Sequence, residues 1–334
     1  MTKFSILDLS PIVEGSTPGQ ALNNSLDLAR HAERLGFNRY WVAEHHNMRG
    51  IASAATSVVI CHIAGGTSTI RVGAGGIMLP NHAPLVIAEQ FGTLASLFPG
   101  RIDLGIGRAP GTDQVTSMAL RRNLNGSVED FPRDLVELQH YLKPAQPGQR
   151  VIATPGEGTQ VPIWILGSSL FGAQLAAMLG LPFAFASHFA PALMQEALEI
   201  YRSRFKPSEE LAEPYVMLGY NVCAADTAED AQFLRSSSVL SFLSLRKGQP
   251  RRLPPPVRNL AEQLEPLDRA ILEQMNSPTA VGTLDDIASG MGQFIEDTGA
   301  DELMLVCSIY EHTKRVHSFE IVAEAARQLD LVAA

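Results

Sequence analysis

Eight apolar runs of strand length, each followed by a stretch with helical spacing, predict an α/β protein built as a (β/α)8 TIM barrel. Two further observations favour the closed barrel over an open doubly wound sheet. The runs are nearly continuous in apolar residues, as parallel strands covered on both faces require. A length of 334 residues is large for one ordinary domain but common for this barrel. The chain therefore reads as a single domain over residues 1–334.

The elements follow in order. Phe4 to Leu9 is a strand stopped by Ser10 and Pro11. Thr17 caps a helix with Pro18 in its first turn; the spacing of Ala21, Leu22, Leu26, Ala29 and Leu35 carries it to Gly36. Tyr40 to Val42 is strand two, and a small-residue helix is expected from about Ala52 to Ala64. Ile70 to Leu79 is strand three, Pro84 to Phe98 a helix, and Ile102 to Gly107 strand four. Val128 to Leu142 reads as helix, followed by a Pro/Gly-rich excursion to Pro162. Strands five, six and seven are Ile163 to Leu166, Phe183 to Ala186 and Tyr215 to Ala224. Their helices are Phe171 to Leu179, Pro191 to Phe205 and Ala228 to Leu245. Strand eight is Glu302 to Val306, and Thr313 to Leu329 closes the chain as a helix. Between strands seven and eight lies an inserted loop and helix excursion, about residues 246–282. It has a stiff polar loop from Lys247 to Pro256 and one helix from Val257 to Met275. Such an excursion suits a lid or binding loop, and equally a surface insertion without a role.

Composition narrows the partners. The net charge of -9 gives no footprint for nucleic acid. The 3 cysteines are far apart, and no Cys/His ligand spacing occurs, so neither a disulfide framework nor a metal site is expected. No signal peptide or apolar run of transmembrane length is read, which makes a cytoplasmic setting, with no membrane partner, the expectation.

Four motifs fall at the same end of successive strands, where such barrels carry their chemistry. Glu44, His45 and His46 end strand two; alone, they could be the solvated start of a loop. Gly73 to Pro80 (Gly-Ala-Gly-Gly-Ile-Met-Leu-Pro) puts adjacent glycines, Gly75 and Gly76, in strand three. They suit either a ligand approaching the backbone or a bulge at a barrel corner. Arg108 stands just beyond strand four, a cation for a phosphate or carboxylate, or a plain surface arginine. Leu166 to Gly172 (Leu-Gly-Ser-Ser-Leu-Phe-Gly) runs straight into a helix, where free amides and serine hydroxyls suit an anion. Ser168 or Ser169 could also be only a helix cap.

Together with Gly100 to Arg108 and Asp301 to Leu305, these motifs resemble the bacterial luciferase-like monooxygenase family, over about Phe4 to Glu324. The resemblance implies a barrel with a mobile insertion and bound reduced FMN, supplied by a separate flavin reductase. The flavin would react with O2 to a C4a-peroxide that oxygenates a small substrate, such as an aldehyde or other apolar compound. By the same resemblance His45 is the catalytic histidine. Gly75 and Gly76 share a cis peptide under the flavin, and Met78 and Leu79 lie along it. Arg108, Ser168, Ser169 and Gly172 meet the phosphate. Luciferases carry a reactive cysteine where this chain has Gly107, so light emission is not implied. Asp113 is the nearest counterpart of an aspartate that pairs with the histidine. A homodimer through early helices also follows. Two alternatives stay open: an F420-dependent hydride-transfer enzyme on the same fold, and a flavin-binding protein without catalysis.

Overall fold

The computed structural model describes residues 2–108, 114–120, 128–273 and 277–332. Nine parallel strands form one sheet, of which eight close on themselves as a (β/α)8 TIM barrel. The strands are β1 (Lys3–Asp8), β2 (Arg39–Val42), β3 (Arg71–Met78), β4 (Ile102–Gly107), β5 (Ile163–Gly167), β6 (Phe183–Phe185), β7 (Val216–Ala224), β8 (Thr279–Gly282) and β9 (Glu302–Val306). The helices are α1 (Pro18–Leu35), α2 (Thr56–Gly65), α3 (Pro84–Leu97), α4 (Gln114–Leu120), α5 (Phe131–Leu142), α6 (Leu170–Leu179), α7 (Met194–Arg204), α8 (Ala228–Arg246), α9 (Leu260–Gln263), α10 (Pro266–Glu273), α11 (Leu284–Thr298) and α12 (His312–Val332).

Local signals set the boundaries. The Thr17 hydroxyl accepts from the Gln20 amide at 3.2 Å, a cap worth about 1 kcal/mol. Gly36 ends α1 with φ of 88°, a left-handed geometry that costs glycine nothing.

The excursion between β7 and β9 departs from the expected pattern. One helix was expected from Val257 to Met275; the chain instead makes α9 and α10. Pro266 lacks an amide hydrogen and disfavours helical geometry at Glu265, which breaks the run. The stretch on 274 and 275 lies outside the described residues. A ninth strand, β8, then pairs with the outer half of β7, Asn221 to Ala224, outside the barrel. It is followed by α11, which the sequence reading passed over. The eighth barrel strand is thus β9. The stiff loop before α9 lies on the rim: Glu14 donates from its amide to the Leu253 carbonyl at 2.9 Å, and Leu253 donates to Ile12 at 3.1 Å.

Two apolar layers result. One lies between strands and helices; the other fills the barrel with Leu7, Trp41, Trp164, Met217 and Met304. Trp41 meets Trp164 edge-on at 5.3 Å, a geometry favoured by the ring quadrupoles. Below them the amino-terminal end is sealed by charge. Arg39 donates to Asp103 at 2.8 Å and to Glu302 at 2.9 Å, Arg71 also reaches Asp103, and the Tyr215 hydroxyl donates to Glu302 at 2.9 Å. Burial acts to lower the Arg39 pKa, and the two carboxylates more than offset it. Among the described residues these pairs close that end, which leaves the carboxyl ends of the strands as the face for a ligand.

Candidate active site

The end of β2 is tied down from several directions. The Ser53 hydroxyl donates to the Ala43 carbonyl at 2.6 Å, and the Glu44 amide to the Gly76 carbonyl at 3.1 Å. The Glu44 side chain turns inward and is 1% exposed. Its carboxylate accepts from the Met78 amide at 2.9 Å, from His46 Nε2 at 2.8 Å, from His82 Nε2 at 3.0 Å and from Asn81 at 3.2 Å. Burial alone would raise its pKa; the His82 contact, the Met78 amide and His46 together hold it below the ordinary carboxylate range. Glu44 is therefore a clamp joining β2 to β3 rather than a free acid.

That clamp fixes an irregular peptide. Gly75 and Gly76 are joined in cis. Gly75 pairs with Gly105 and Ile77 with Ile106, so Gly76 is bulged out of the ladder, and its carbonyl goes to Glu44. A Cβ on Gly76 would lie 2.5 Å from Leu166 Cδ1 and 2.6 Å from the Gly105 carbonyl oxygen, closer than real contacts allow. The sequence left a ligand floor and a barrel-corner bulge open as readings; the bulge is present, and it leaves bare backbone at the mouth.

Two histidines overlook this surface. His45 Nδ1 is buried and has no hydrogen-bond partner among the described residues. Burial lowers its pKa, against the Ala43 carbonyl and the Glu44 carboxylate, which act to raise it. His188, just beyond β6, sits near enough to His45 for that imidazole to oppose its protonation. Burial, with His45 second, pulls His188 down to about 4. Its Nδ1 is likewise buried and unpartnered. A Cβ at Gly219 would stand 2.0 Å from that nitrogen, so the glycine in β7 makes room for the ring. Both imidazoles are neutral at pH 7 and can take up a proton.

Across the mouth, β4 and β5 bring a cation to a helix start. The Arg108 guanidinium lies 4.3 Å from the Phe171 ring, in the first turn of α6. It has no carboxylate partner among the described residues. Ser168 and Ser169 are exposed beside it. Ser169 occupies the cap position with extended backbone, but its side chain makes no cap hydrogen bond, so the first amides of α6 are left to another acceptor.

The luciferase-like monooxygenase family profile matches residues 2–302. A luciferase-like monooxygenase of Escherichia coli (strain K12) is 52% identical over 326 residues, covering 98% of this chain and 97% of that one. The chain belongs to the luciferase-like monooxygenase family. The N-acetyl-S-alkylcysteine monooxygenase of Bacillus subtilis (strain 168) is 38% identical over 238 residues, 70% of each chain. The crystal structure of apo-MsnO8 superposes with a TM-score of 0.91 at 38% identity, covering 98% of this chain and 99% of that one.

Within this chain the expected site residues distribute unevenly. His45, Gly75, Gly76 and Met78 meet at the ends of β2 and β3. Arg108, Ser168 and Ser169 meet at β4 and β5. Gly172 is buried, its Cβ position 3.3 Å from Gly167 Cα and 3.3 Å from the Phe183 ring, so it lets α6 lie close on β5. Leu79 is fully buried with its side chain in the layer between strands and helices, not over the mouth. Asp113 lies outside the described residues. At Gly107 a side chain would meet the Met78 sulfur at 2.9 Å, which leaves no room for the luciferase cysteine without displacing Met78.

Sequence reasoning gave Glu44 no role of its own and assigned none to His188. The signal for His188 was its place three residues beyond β6, at the same end as the other motifs. Among the described residues no helix is long and apolar enough to cross a membrane.

Proposed function

We propose that this chain is an FMN-dependent monooxygenase that takes reduced FMN from a separate flavin reductase. It would use O2 to oxygenate a small, mostly apolar substrate such as an aldehyde. The observation that carries the reading is the bare Gly75–Gly76 peptide, clamped through Glu44, with the unpartnered Nδ1 of His45 on the residue next to that clamp. The donor set fits a flat ring with a phosphate tail. Arg108, Ser168, Ser169 and the amides of α6 would hold the phosphate, with Gly172 keeping helix and strand close. Gly75, Gly76 and Met78 would lie under the ring, with Leu79 backing them from the core. Reduced FMN, when bound, supplies the electrons that activate O2. His45, neutral at pH 7, takes a proton at Nδ1 and returns it; Asp113 is assigned to orient it. The apolar layer of Trp41, Trp164 and Leu166 excludes water from below.

The reading includes a cytoplasmic homodimer through α2 and α3, for which the exposed Val58, Val86 and Leu97 give apolar contact surface. The relative named for N-acetyl-S-alkylcysteine makes thioethers a second substrate series beside aldehydes. Stopped-flow mixing of the protein and photoreduced FMN with air tests the proposal. We expect flavin reoxidation slowed roughly tenfold or more against buffer, with His45→Ala losing product formation. Reoxidation at the buffer rate sinks the proposal, and tighter binding of reduced F420 than of reduced FMN moves the protein to hydride transfer.

A further inference from the structure

Five arginines among the described residues are not exposed: Arg39, Arg71, Arg101, Arg235 and Arg315. Four of them end on protein oxygens. Arg39 and Arg71 reach Asp103, Arg101 donates to the Ile70 and Thr67 carbonyls, and Arg315 pairs with Asp8 at 2.9 Å. Arg235, on α8, is the exception. No hydrogen bond or ion pair from its guanidinium to any described residue is present. A half-buried cation without a counterion costs stability, and burial lowers its pKa accordingly.

Arg235 lines a cavity of about 120 Å³ between α8, the outer end of β7, β8 and the end of β9. The cavity offers donors and acceptors from Asn221 and Thr279 and an apolar wall from Val239, Phe242 and Val281. Its other titratable groups are uncharged at neutral pH: burial raises Cys223 and lowers His188. Arg235 is thus the single charge facing the cavity among the described residues. The cavity is small against ligand pockets of roughly 300–1,000 Å³, so it takes one end of a ligand. Its inner wall is His188, which lies close enough to His45 for the two to interact electrostatically.

We infer that this cavity is a carboxylate subsite, in which Arg235 binds the anionic end of a small substrate whose apolar body runs past His188 towards His45. The geometry of a guanidinium against a carboxylate allows two parallel hydrogen bonds. The cavity lies beyond β7, two strands from β5 and three from β4, and neither Arg108 nor Ser169 lines it, so it is separate from the phosphate end of the proposed cofactor site. Assigning the ligand as the substrate rests on the monooxygenase reading; the carboxylate site itself does not.

Titration of the flavin-free protein with hexanoate and with its neutral counterpart hexanamide tests this. Wild type should bind hexanoate, and Arg235→Gln should weaken that binding roughly tenfold or more while leaving hexanamide binding unchanged. Arg235→Lys should retain part of it, because the charge remains but the fork is lost. Reduced FMN affinity should be the same in Arg235→Gln as in wild type. A thermal midpoint of wild type raised by hexanoate but not by hexanamide gives the same answer without any variant. Equal hexanoate binding by wild type and Arg235→Gln, or no hexanoate effect on wild type, overturns the proposal. A protein that binds hexanoate through Arg235 but leaves flavin reoxidation unchanged keeps this subsite and refutes only the monooxygenase reading.

Discussion

Replacing His188 with glutamine should make the fold less sensitive to acid. In the folded protein burial, together with the facing His45, holds the His188 pKa at about 4 against an ordinary 6.5. The unfolded chain therefore binds a proton near pH 6.5 that the folded chain refuses until about pH 4. Between those values the unfolded state carries more protons, so stability rises with pH and falls on acidification. The gap of about 2.5 pH units corresponds to about 3 kcal/mol at ~1.36 kcal/mol per unit. The residue keeps some solvent exposure, and solvent screening reduces the expected loss to about 2 kcal/mol. Glutamine keeps a polar side chain in the space opened by Gly219 but has no proton to gain. Urea unfolding of both proteins at steps between pH 7 and pH 4.5 isolates the difference. Wild type should lose about 2 kcal/mol more than His188→Gln across that range. Parallel stability curves would show that His188 is protonated in the folded protein as easily as in the unfolded chain, and the account of a closed, neutral imidazole pair would fall with it.

Two further outcomes follow from the same geometry. Asp8→Asn should cost about 3–5 kcal/mol in denaturant unfolding, because Arg315 is then left buried without its anion; a cost under about 1 kcal/mol would refute that role. Arg108→Gln should weaken reduced FMN binding by about 1.5–3 kcal/mol, the range for a hydrogen bond to a charged group, and leave reduced riboflavin unaffected. Equal losses for FMN and riboflavin would place Arg108 away from the phosphate.

Much of the barrel was legible because its signals are local or periodic. Ile102 to Gly107 could be read as a strand from its apolar run, and Thr17 with Gly36 bracketed α1 without tertiary information. The excursion after α8 was harder for a physical reason. β8 is only four residues long and pairs outside the barrel, so its burial alternates instead of running continuously. The signal for α11 was present in Thr283 and Asp286, whose carboxylate accepts from the Thr283 amide at 2.8 Å, and in Gly299 at its end. In the site, residue types at strand ends pointed to His45, Arg108 and Ser169. They could not show that Glu44 faces inward while His45 faces the mouth, since adjacent residues past a strand end have no fixed alternation. Nor could spacing reveal Arg235: an arginine on an amphipathic helix reads as a solvated face until the missing counterion is seen in three dimensions.

The distribution of charge then gives the mouth its character. Below the tryptophans, Arg39, Asp103 and Glu302 satisfy one another, and outside the barrel Asp8 and Arg315 do the same. These pairs seal the structure and leave nothing for a ligand. Around the mouth itself other groups are left unpaired. Arg108 and Arg235 carry charge with no carboxylate partner among the described residues, and His45 and His188 each keep a buried Nδ1 without a partner. Unsatisfied groups of this kind cost roughly 1–3 kcal/mol each, a cost that a scaffold able to pair its charges elsewhere could have avoided. Their concentration at one end of the barrel, with neutral proton acceptors near two separated cations, is the arrangement expected of a site that receives anions at two separate points.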